Sequence, residues 1–346
     1  SVEELIVAGD LGDRGPRIDK VIDYLHRQPN VSLIWGNHDV SWMGACLGHE
    51  ALIALVLRIS LRYRRLYQLE EGYGILTKAL EQLAENVYGD DPAEAFISKR
   101  GGERDPLLIA RMQKAAAVLE FKLQGQLVER HPEWKMDARN SLKAIDFDRG
   151  TVRIGDRDFP LKDRHLPSVD PADPNRLCPE EQHCIERLKE SFTSSPRLWE
   201  HMRWLAERGQ MSLVRDRAAI FHACLAVDED GAFEPLVIDG EERRGPEQFE
   251  ALNRVIKRAF RAGTRASEED KDWFYYLWAG PRSPLFGKDR MATFETYSVA
   301  DKETHKEIKN HCFRLIHDFV FFVRIFGVMV IGVLGLVVYG QVVVRV

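Results

Sequence analysis

The chain has 346 residues, of which 45% are hydrophobic and 30% charged, and its formal net charge is -5 at pH 7. The hydrophobic content is enough for a large buried core, and the length corresponds to about two domains. The mildly acidic balance argues against a nucleic-acid-binding protein, because such a protein needs a basic surface to meet the phosphates. Phosphorylated small molecules remain possible partners, since a bound metal ion can supply positive charge locally.

The cysteines indicate a reducing compartment. There are five of them, and no two form a closely spaced CxxC pair. An odd number of scattered cysteines argues against a disulfide framework or a zinc ribbon. The sequence also shows no signal peptide. We therefore expect a cytoplasmic protein.

The first forty residues predict a strand, a helix and a second strand. Short apolar runs cover residues 5–8 and 31–35, and each ends in a glycine followed by a polar residue. Between them, residues 18–25 have apolar side chains at the spacing of an amphipathic helix. A βαβ unit of this kind has parallel strands, and ligands of open α/β sheets bind just beyond the carboxyl ends of those strands.

The rest of the chain predicts a helical insertion within an α/β core. Helical patterns dominate residues 42–143, and the glycine- and proline-rich stretch at 147–174 predicts turns with short extended pieces. Later predicted elements are helices at 180–191 and 197–208 and strands at 212–214 and 218–227. We predict a first core part at 1–45, a mainly helical insertion at 46–210, a second core part at 211–318 and an apolar tail at 319–346.

Two polar motifs follow the first two predicted strands, GDLGDRGP at residues 9–16 and GNHD at 36–39. Glycine lets the backbone turn sharply at a strand end. The carboxylate of Asp10 and the amide of Asn37 offer the oxygen ligands that magnesium and manganese prefer. Either motif alone is explained by an ordinary turn, since these residue types dominate turns. Their pairing, one helix apart and each after an apolar strand, favours a shared metal site.

The pair of motifs resembles that of the calcineurin-like metallophosphatases, whose core is a four-layer α/β/β/α sandwich. The resemblance implies that Asp10 bridges two metal ions and that Asn37 binds the second one. It implies that His38 serves the leaving group, oriented by Asp39, and that Arg14 meets a substrate phosphate with its planar fork. The implied chemistry is two-metal hydrolysis, in which a metal-activated water attacks phosphorus.

A longer set of stretches is similar to one family in that class, the class III fructose-1,6-bisphosphatases. The stretches are WGNHDVSWMGA at 35–45, RISLRY at 58–63, EGYG at 71–74, FKLQGQ at 121–126, GPRSPLFGKD at 280–289, MATFE at 291–295 and THKE at 304–307. The resemblance runs in order over about residues 5–310. It implies a bacterial enzyme of gluconeogenesis that uses Mn²⁺ to remove the 1-phosphate of fructose 1,6-bisphosphate.

Further site residues are expected later in the chain. His222 follows the apolar run at 218–221 and is the expected histidine ligand, although a lone histidine there is usually a satisfied core residue. Lys288 and Arg290 are candidate phosphate ligands because cations favour phosphate, and ordinary solvated charges are the alternative. A homo-oligomer is compatible with the sequence.

The sequence departs from the family pattern in two places. No D-x-H motif precedes Asp10, so we expect an incomplete first metal site in a core that is itself incomplete, in a fragment of a longer protein. Gln341 stands about where the family has a late ligand histidine, and glutamine is a poor substitute for imidazole. Residues 325–344 are also apolar enough to span a membrane, but a diverged core is the favoured interpretation.

The remaining alternatives are another metallophosphatase, such as a protein phosphatase or a dinucleoside polyphosphate hydrolase, and an inactive membrane-anchored relative. The first shares the two polar motifs, but those families lack the long helical insertion and the stretch at 280–295. The second rests on the apolar tail alone.

Overall fold

The structure, a computed structural model, describes residues 4–98, 104–215, 218–315, 334–338 and 341–345. Its helices are α1 (Ile18–His26), α2 (Asn37–Cys46), α3 (Glu50–Arg62), α4 (Lys78–Tyr88), α5 (Pro106–Arg130), α6 (Pro179–Ser194), α7 (Pro196–Arg208), α8 (Pro246–Ala262), α9 (Glu268–Ala279), α10 (Thr293–Ser298) and α11 (Cys312–Leu315). Its strands are β1 (Leu5–Val7), β2 (Val31–Ile34), β3 (Ile145–Asp146), β4 (Thr151–Ile154), β5 (Arg157–Pro160), β6 (Gly209–Gln210), β7 (Ser212–Arg215), β8 (Ala218–Phe221), β9 (Leu236–Ile238), β10 (Glu241–Arg243), β11 (Leu334–Val338) and β12 (Gln341–Arg345).

Two compact units make up the described chain. The sheet unit contains the described residues within 4–43, 200–289 and 308–345, and the helical unit contains those within 44–199 and 290–307. The mixed α/β class predicted from the sequence is confirmed. The four-layer calcineurin-like core and the four predicted segment boundaries stay predictions.

The sheet unit begins with the predicted βαβ arrangement. Strands β1 and β2 are parallel, with Leu5 opposite Val31, and β2 continues in parallel to β6. Helix α1 buries Ile18, Ile22 and Leu25 and leaves Val21 exposed, because only three of its four apolar residues lie on the inner face. The parallel pairing brings the carboxyl ends of β1 and β2 to the same edge of the sheet.

A second sheet of the same unit is antiparallel, in the order β11-β12-β8-β7. Ile34 of β2, Leu213 of β7 and Ile220 of β8 form one buried cluster, and Ile6 and Ala8 pack against it. The two sheets therefore face each other across apolar side chains, as in sheet-on-sheet packing. The strand predicted at 218–227 ends at Phe221, directly before the predicted ligand histidine.

The helical unit is built around α5. This helix begins at Pro106, where the carboxylate of Asp105 caps it by accepting the backbone N–H groups of Leu107 and Leu108. The helix is largely buried, and the buried charge of Glu120 is paired with Arg58. Pairing of this kind is needed because an uncompensated buried charge is strongly destabilising. The predicted turns and short extended pieces of 147–174 include the antiparallel strands β4 and β5.

The apolar tail is described only at 334–338 and 341–345, where it forms β11 and β12 of the antiparallel sheet. The other residues of the predicted tail at 319–346 lie outside the described residues. Within the part of the chain that the structure describes, no helix is both long and apolar enough to cross a membrane.

Candidate metal centre

The two polar motifs meet where β1 and β2 end. Gly9 and Asp10 both have positive φ angles, 89° and 60°, in the region that glycine and, less readily, aspartate tolerate. The second motif approaches so closely that a Cβ added to Gly36 would lie 2.1 Å from Oδ1 of Asp10. Only glycine at position 36 allows this distance between the two loops.

Asp39 ties the two loops together. Its carboxylate accepts the backbone N–H groups of Asp10, Leu11 and Gly36, each at 2.8 Å. Burial, with the negative charge of Asp10 beside it, raises the pKa of Asp39 to about 7, although the backbone N–H groups act in the opposite direction. The predicted role of Asp39 was to orient His38, but its described hydrogen bonds are with the backbone of both loops.

The carboxylate beside the ring of His38 is that of Asp13. His38 Nε2 lies 3.1 Å from Asp13 Oδ1, and the ring packs edge-on against Trp278 with centroids 4.8 Å apart. Burial lowers the pKa of His38, and the charges of Asp10 and Asp13 oppose that effect. The other oxygen of Asp13 lies 3.5 Å from Nε of Arg14, whose side chain is 68% exposed.

Asp10, Asp13 and His38 form a group that can hold a metal ion, with one ligand atom from each lying within 4.8 Å of the others. Asp13 was not among the residues predicted for the site. The signal that would have found it is its place in the first motif, where it is a second carboxylate three residues after the first. Two carboxylates so close together are stabilised by a shared cation, and carboxylate with imidazole suits a divalent metal of the manganese to zinc series.

His222 reaches the same carboxylate from the second sheet. Its Nδ1 lies 2.9 Å from the carbonyl oxygen of Ala8, and its Nε2 lies 3.3 Å from Oδ2 of Asp10. A proton on Nδ1 donated to that carbonyl fixes the ring orientation, as a hydrogen bond from the ring nitrogen that faces away from the metal does in metal-binding histidines. Burial opposes the charged form of His222, but the hydrogen bond with Asp10 prevails and raises the pKa of the histidine. Burial likewise acts to raise the pKa of Asp10, and the bond from His222 outweighs it and lowers that pKa.

Asn37 lies at the start of α2, next in sequence to His38. Its amide nitrogen donates to the carbonyl oxygen of Trp278 at 3.3 Å. That bond uses the nitrogen, so the amide oxygen keeps its capacity as an acceptor and as a metal ligand. The residues predicted as metal ligands at positions 10, 37 and 222 therefore occupy one end of the sheet unit.

The predicted phosphate ligands have other contacts. Arg290 lies in the helical unit, where it donates to Glu295 at 2.7 Å and to the carbonyl oxygen of Thr304 at 2.8 Å. Lys288 lies in the sheet unit, with its Nζ 5.6 Å from the ring centroid of Phe286. Their role in holding a substrate phosphate stays a prediction.

The register of β12 bears on the expected late ligand. Strand β12 pairs antiparallel with β8 so that Val342 is opposite Phe221. The start of β12 therefore lies beside the end of β8, and His222 follows that end directly. The role of position 341 as the place of a late ligand stays a prediction.

The fold and the site together define an α/β protein with a group of aspartate and histidine side chains that could hold a metal ion. The profile of the family described as Firmicute fructose-1,6-bisphosphatase matches residues 1–346, and the chain belongs to that family.

Individual relatives agree with this assignment. The chain is 39% identical over 320 residues to a protein of Fusobacterium nucleatum named fructose-1,6-bisphosphatase class 3, which covers 92% of this chain and 49% of that protein. Proteins of the same name from Bacteroides fragilis and Clostridium novyi are each 40% identical, over 91% and 89% of this chain and 49% and 47% of their own lengths. The chain therefore spans about half the length of these relatives. No solved structure was found to match it.

Proposed function

We propose that this protein hydrolyses the 1-phosphate of fructose 1,6-bisphosphate to give fructose 6-phosphate and phosphate, using divalent metal bound by the carboxylates of Asp10 and Asp13 beside His38. The observation that carries the proposal is the convergence of these ligand atoms at the strand ends, in a chain that belongs to the fructose-bisphosphatase family. Manganese is the proposed metal, and the cytoplasm is the proposed compartment, where sugar phosphates are metabolised.

The metal ligands proposed from the chain are the carboxylates of Asp10 and Asp13, the Nε2 atom of His222 and the amide oxygen of Asn37. When bound, divalent metal supplies a water of lowered pKa and positive charge for the phosphate oxygens. The chain contributes a rigid frame for these ligands, because Asp39 joins the backbone of both motif loops. A frame of this kind holds the ligands in place before substrate binds, which is how enzymes lower the cost of reorganisation.

His38 is the proposed proton donor to the sugar oxygen that leaves. Its Nε2 lies next to Asp13, which can hold the ring in one orientation and stabilise the proton on it. Arg14 directly follows Asp13 in sequence, and its side chain is exposed. Its guanidinium can therefore bind an oxygen of a phosphate that arrives from solvent. This division gives Asp13 the orienting role that the sequence resemblance assigned to Asp39.

The test is phosphate release from fructose 1,6-bisphosphate by the purified chain with Mn²⁺, with Mg²⁺ and with a chelator. Asp10→Asn is the site variant, and Asp148→Asn is its matched control, since Asp148 is an exposed residue of a turn in the helical unit. We expect metal-dependent release that is lost in Asp10→Asn and retained in Asp148→Asn. Equal release by both variants would refute the assignment of the site.

A substrate panel separates the proposal from its alternatives. It compares fructose 1,6-bisphosphate with a phosphoserine peptide and with a dinucleoside tetraphosphate under the same metal conditions. We expect the sugar bisphosphate to be hydrolysed at least tenfold faster than the other two substrates. A preference for either of the others would overturn the assigned substrate and leave the metal centre intact.

A further inference from the structure

The C-terminal end of α9 contacts the second motif of the metal centre. The carbonyl oxygens of the last four residues of a helix have no partners within the helix, so they bond to other groups. At this end, the carbonyl oxygen of Leu277 accepts the hydroxyl of Ser283 at 2.7 Å. That of Trp278 accepts the side-chain amide of Asn37 at 3.3 Å. The second bond joins the end of the helix directly to a proposed metal ligand.

The bond also decides which atom of the Asn37 amide faces the helix. A backbone carbonyl can only accept a hydrogen bond, so the amide must turn its nitrogen toward Trp278. The amide oxygen is then the atom left for the metal, as the proposed role of Asn37 requires. Because the acceptor belongs to the backbone, the bond does not depend on which side chain stands at position 278.

The side chain of Trp278 contacts the next residue of the motif. Its indole and the ring of His38 have centroids 4.8 Å apart and planes at 81° to each other, which is the edge-to-face arrangement that aromatic rings favour. On the same imidazole, Nε2 lies 3.1 Å from Oδ1 of Asp13. The two contacts come from different elements of the sheet unit, and together they restrict rotation of the imidazole.

Helix α9 holds this indole firmly. Every residue from 270 to 279 is buried, and Trp278 itself is 4% exposed. At the other end of the helix, the hydroxyl of Ser267 accepts the N–H group of Asp270 at 3.1 Å, and the carboxylate of Asp270 pairs with Arg258 at 2.5 Å. A residue so deeply buried has little surface for a substrate to touch, so its effect on the reaction must pass through His38.

We propose that Trp278 is a positioning residue for the hydrolysis, which holds the ring of His38 in the orientation that delivers its proton to the leaving sugar oxygen. The inference rests on the proposed function, in which His38 is the proton donor. The carbonyl bond from Asn37 fixes the end of α9 at the site, and the indole then fixes the imidazole. An imidazole that turns away from this orientation leaves the metal ligands in place but transfers its proton less often.

A misplaced proton donor affects substrates according to their leaving groups. The alkoxide of a sugar leaves slowly unless it is protonated, whereas a thiolate leaves as the anion, since the pKa of a thiol is only about 8.5. The diagnostic substrate is therefore the analogue of fructose 1,6-bisphosphate in which sulfur replaces the oxygen that joins C1 to phosphorus. This analogue keeps the sugar and both phosphate groups, and its leaving group does not need the proton of His38.

The test compares kcat and KM for the oxygen and sulfur substrates with Mn²⁺ in the unmodified chain, in Trp278→Leu and in Trp273→Leu. Trp273 is the matched control, because it lies in the same helix, is 3% exposed and packs against Tyr276. We expect Trp278→Leu to lower kcat for the oxygen substrate by about tenfold or more, with KM and the sulfur substrate little affected. Trp278→Phe, which keeps an aromatic ring, should recover most of the rate. Equal losses on both substrates, or the same selective loss in Trp273→Leu, would overturn the proposal.

The affinity for Mn²⁺, measured without substrate, separates positioning from damage to the ligands. It should be the same in Trp278→Leu as in the unmodified chain, because the bond from Asn37 is made to the backbone. A weaker affinity would trace the lost rate to the metal ligands and overturn the proposal. If Trp278→Leu does not fold, Trp278→Met takes its place, since the flexible methionine side chain fills irregular space.

NMR of the metal-free chain with isotope-labelled histidine detects the contact itself. The signal of His38, assigned by its absence in His38→Gln, should shift in Trp278→Leu and stay in place in Trp273→Leu. An unmoved signal in Trp278→Leu would overturn the proposal. Failure of the unmodified chain to release phosphate from fructose 1,6-bisphosphate would instead count against the proposed function, and the signal of His38 would then decide the positioning role independently.

Discussion

Replacing Asp39 is the sharpest test of how the metal centre is held together. Its carboxylate accepts three backbone N–H groups, from Asp10 and Leu11 in one loop and from Gly36 in the other. Asp39→Ala removes every one of these acceptors and leaves the donors without a partner. Asp39→Asn keeps a single oxygen, which can replace Oδ2 and accept two of the donors, but it turns an amide N–H₂ group toward the third.

The size of the effect follows from where the donors lie. Leaving a buried donor unsatisfied costs about 1–3 kcal/mol. Gly36 is buried, whereas Asp10 and Leu11 are partly exposed and gain some hydration, so the sum lies below three full penalties. Removing the charge of Asp39 also relieves its repulsion with Asp10 and the cost of burying a carboxylate, the two effects that raise its pKa, and this relief offsets part of the loss at pH 8. We expect Asp39→Ala to lower the free energy of unfolding by about 2–3 kcal/mol and Asp39→Asn, which keeps one acceptor, by less than about 1 kcal/mol.

The assay is urea unfolding of the metal-free chain at pH 8, above the pKa of about 7 for Asp39, so that the wild-type carboxylate is charged. Asp148→Asn, an exposed replacement of the same kind, should change the free energy by less than about 0.5 kcal/mol. Metal affinity measured on the same proteins should fall in both Asp39 variants, since the loop that carries Asp10 loses its support. Equal losses for alanine and asparagine, or a loss below about 1 kcal/mol for alanine, would refute the role of Asp39 as the tie between the loops.

Three further changes test the packing and the charges of the sheet unit. Gly36→Ala should cost about 1–3 kcal/mol and abolish metal-dependent activity, because the added methyl group overlaps the carboxylate of Asp10; retained activity would contradict this. Arg258 lowers the pKa of Asp239, and this pairing stabilises the fold above the ordinary aspartate pKa and is lost as the pH falls through the lowered value. Asp239→Asn, which leaves the pairing of Arg258 with Asp270 in place, should therefore cost about 1 kcal/mol at pH 7 and less at pH 2 in urea titrations, and equal losses at both pH values would disprove the reasoning. Trp35→Phe should cost about 2 kcal/mol in thermal unfolding, since it leaves a buried carbonyl of α7 without its indole donor, and an unchanged melting temperature would argue against that bond.

Local patterns in the sequence determined the parts of this protein that depend on near neighbours. The spacing of apolar residues predicted α1 and the two parallel strands, because a helix and a strand each repeat at their own period. The glycines and polar residues after those strands predicted a site at the sheet edge, since parallel strands end on the same side. The same stretches were enough to identify the family.

Other features depended on contacts between distant parts of the chain. The sequence pattern attached Asp39 to His38, its neighbour in sequence, whereas the folded loops place the carboxylate of Asp13 at that ring and bond Asp39 to the backbone. The early end of β8 at Phe221 likewise had no local signal. Periodicity records which face of an element is buried, but not which atoms meet across it. Those contacts were decided by the stacking of the two sheets and the turns between their strands, which the tertiary structure alone supplies.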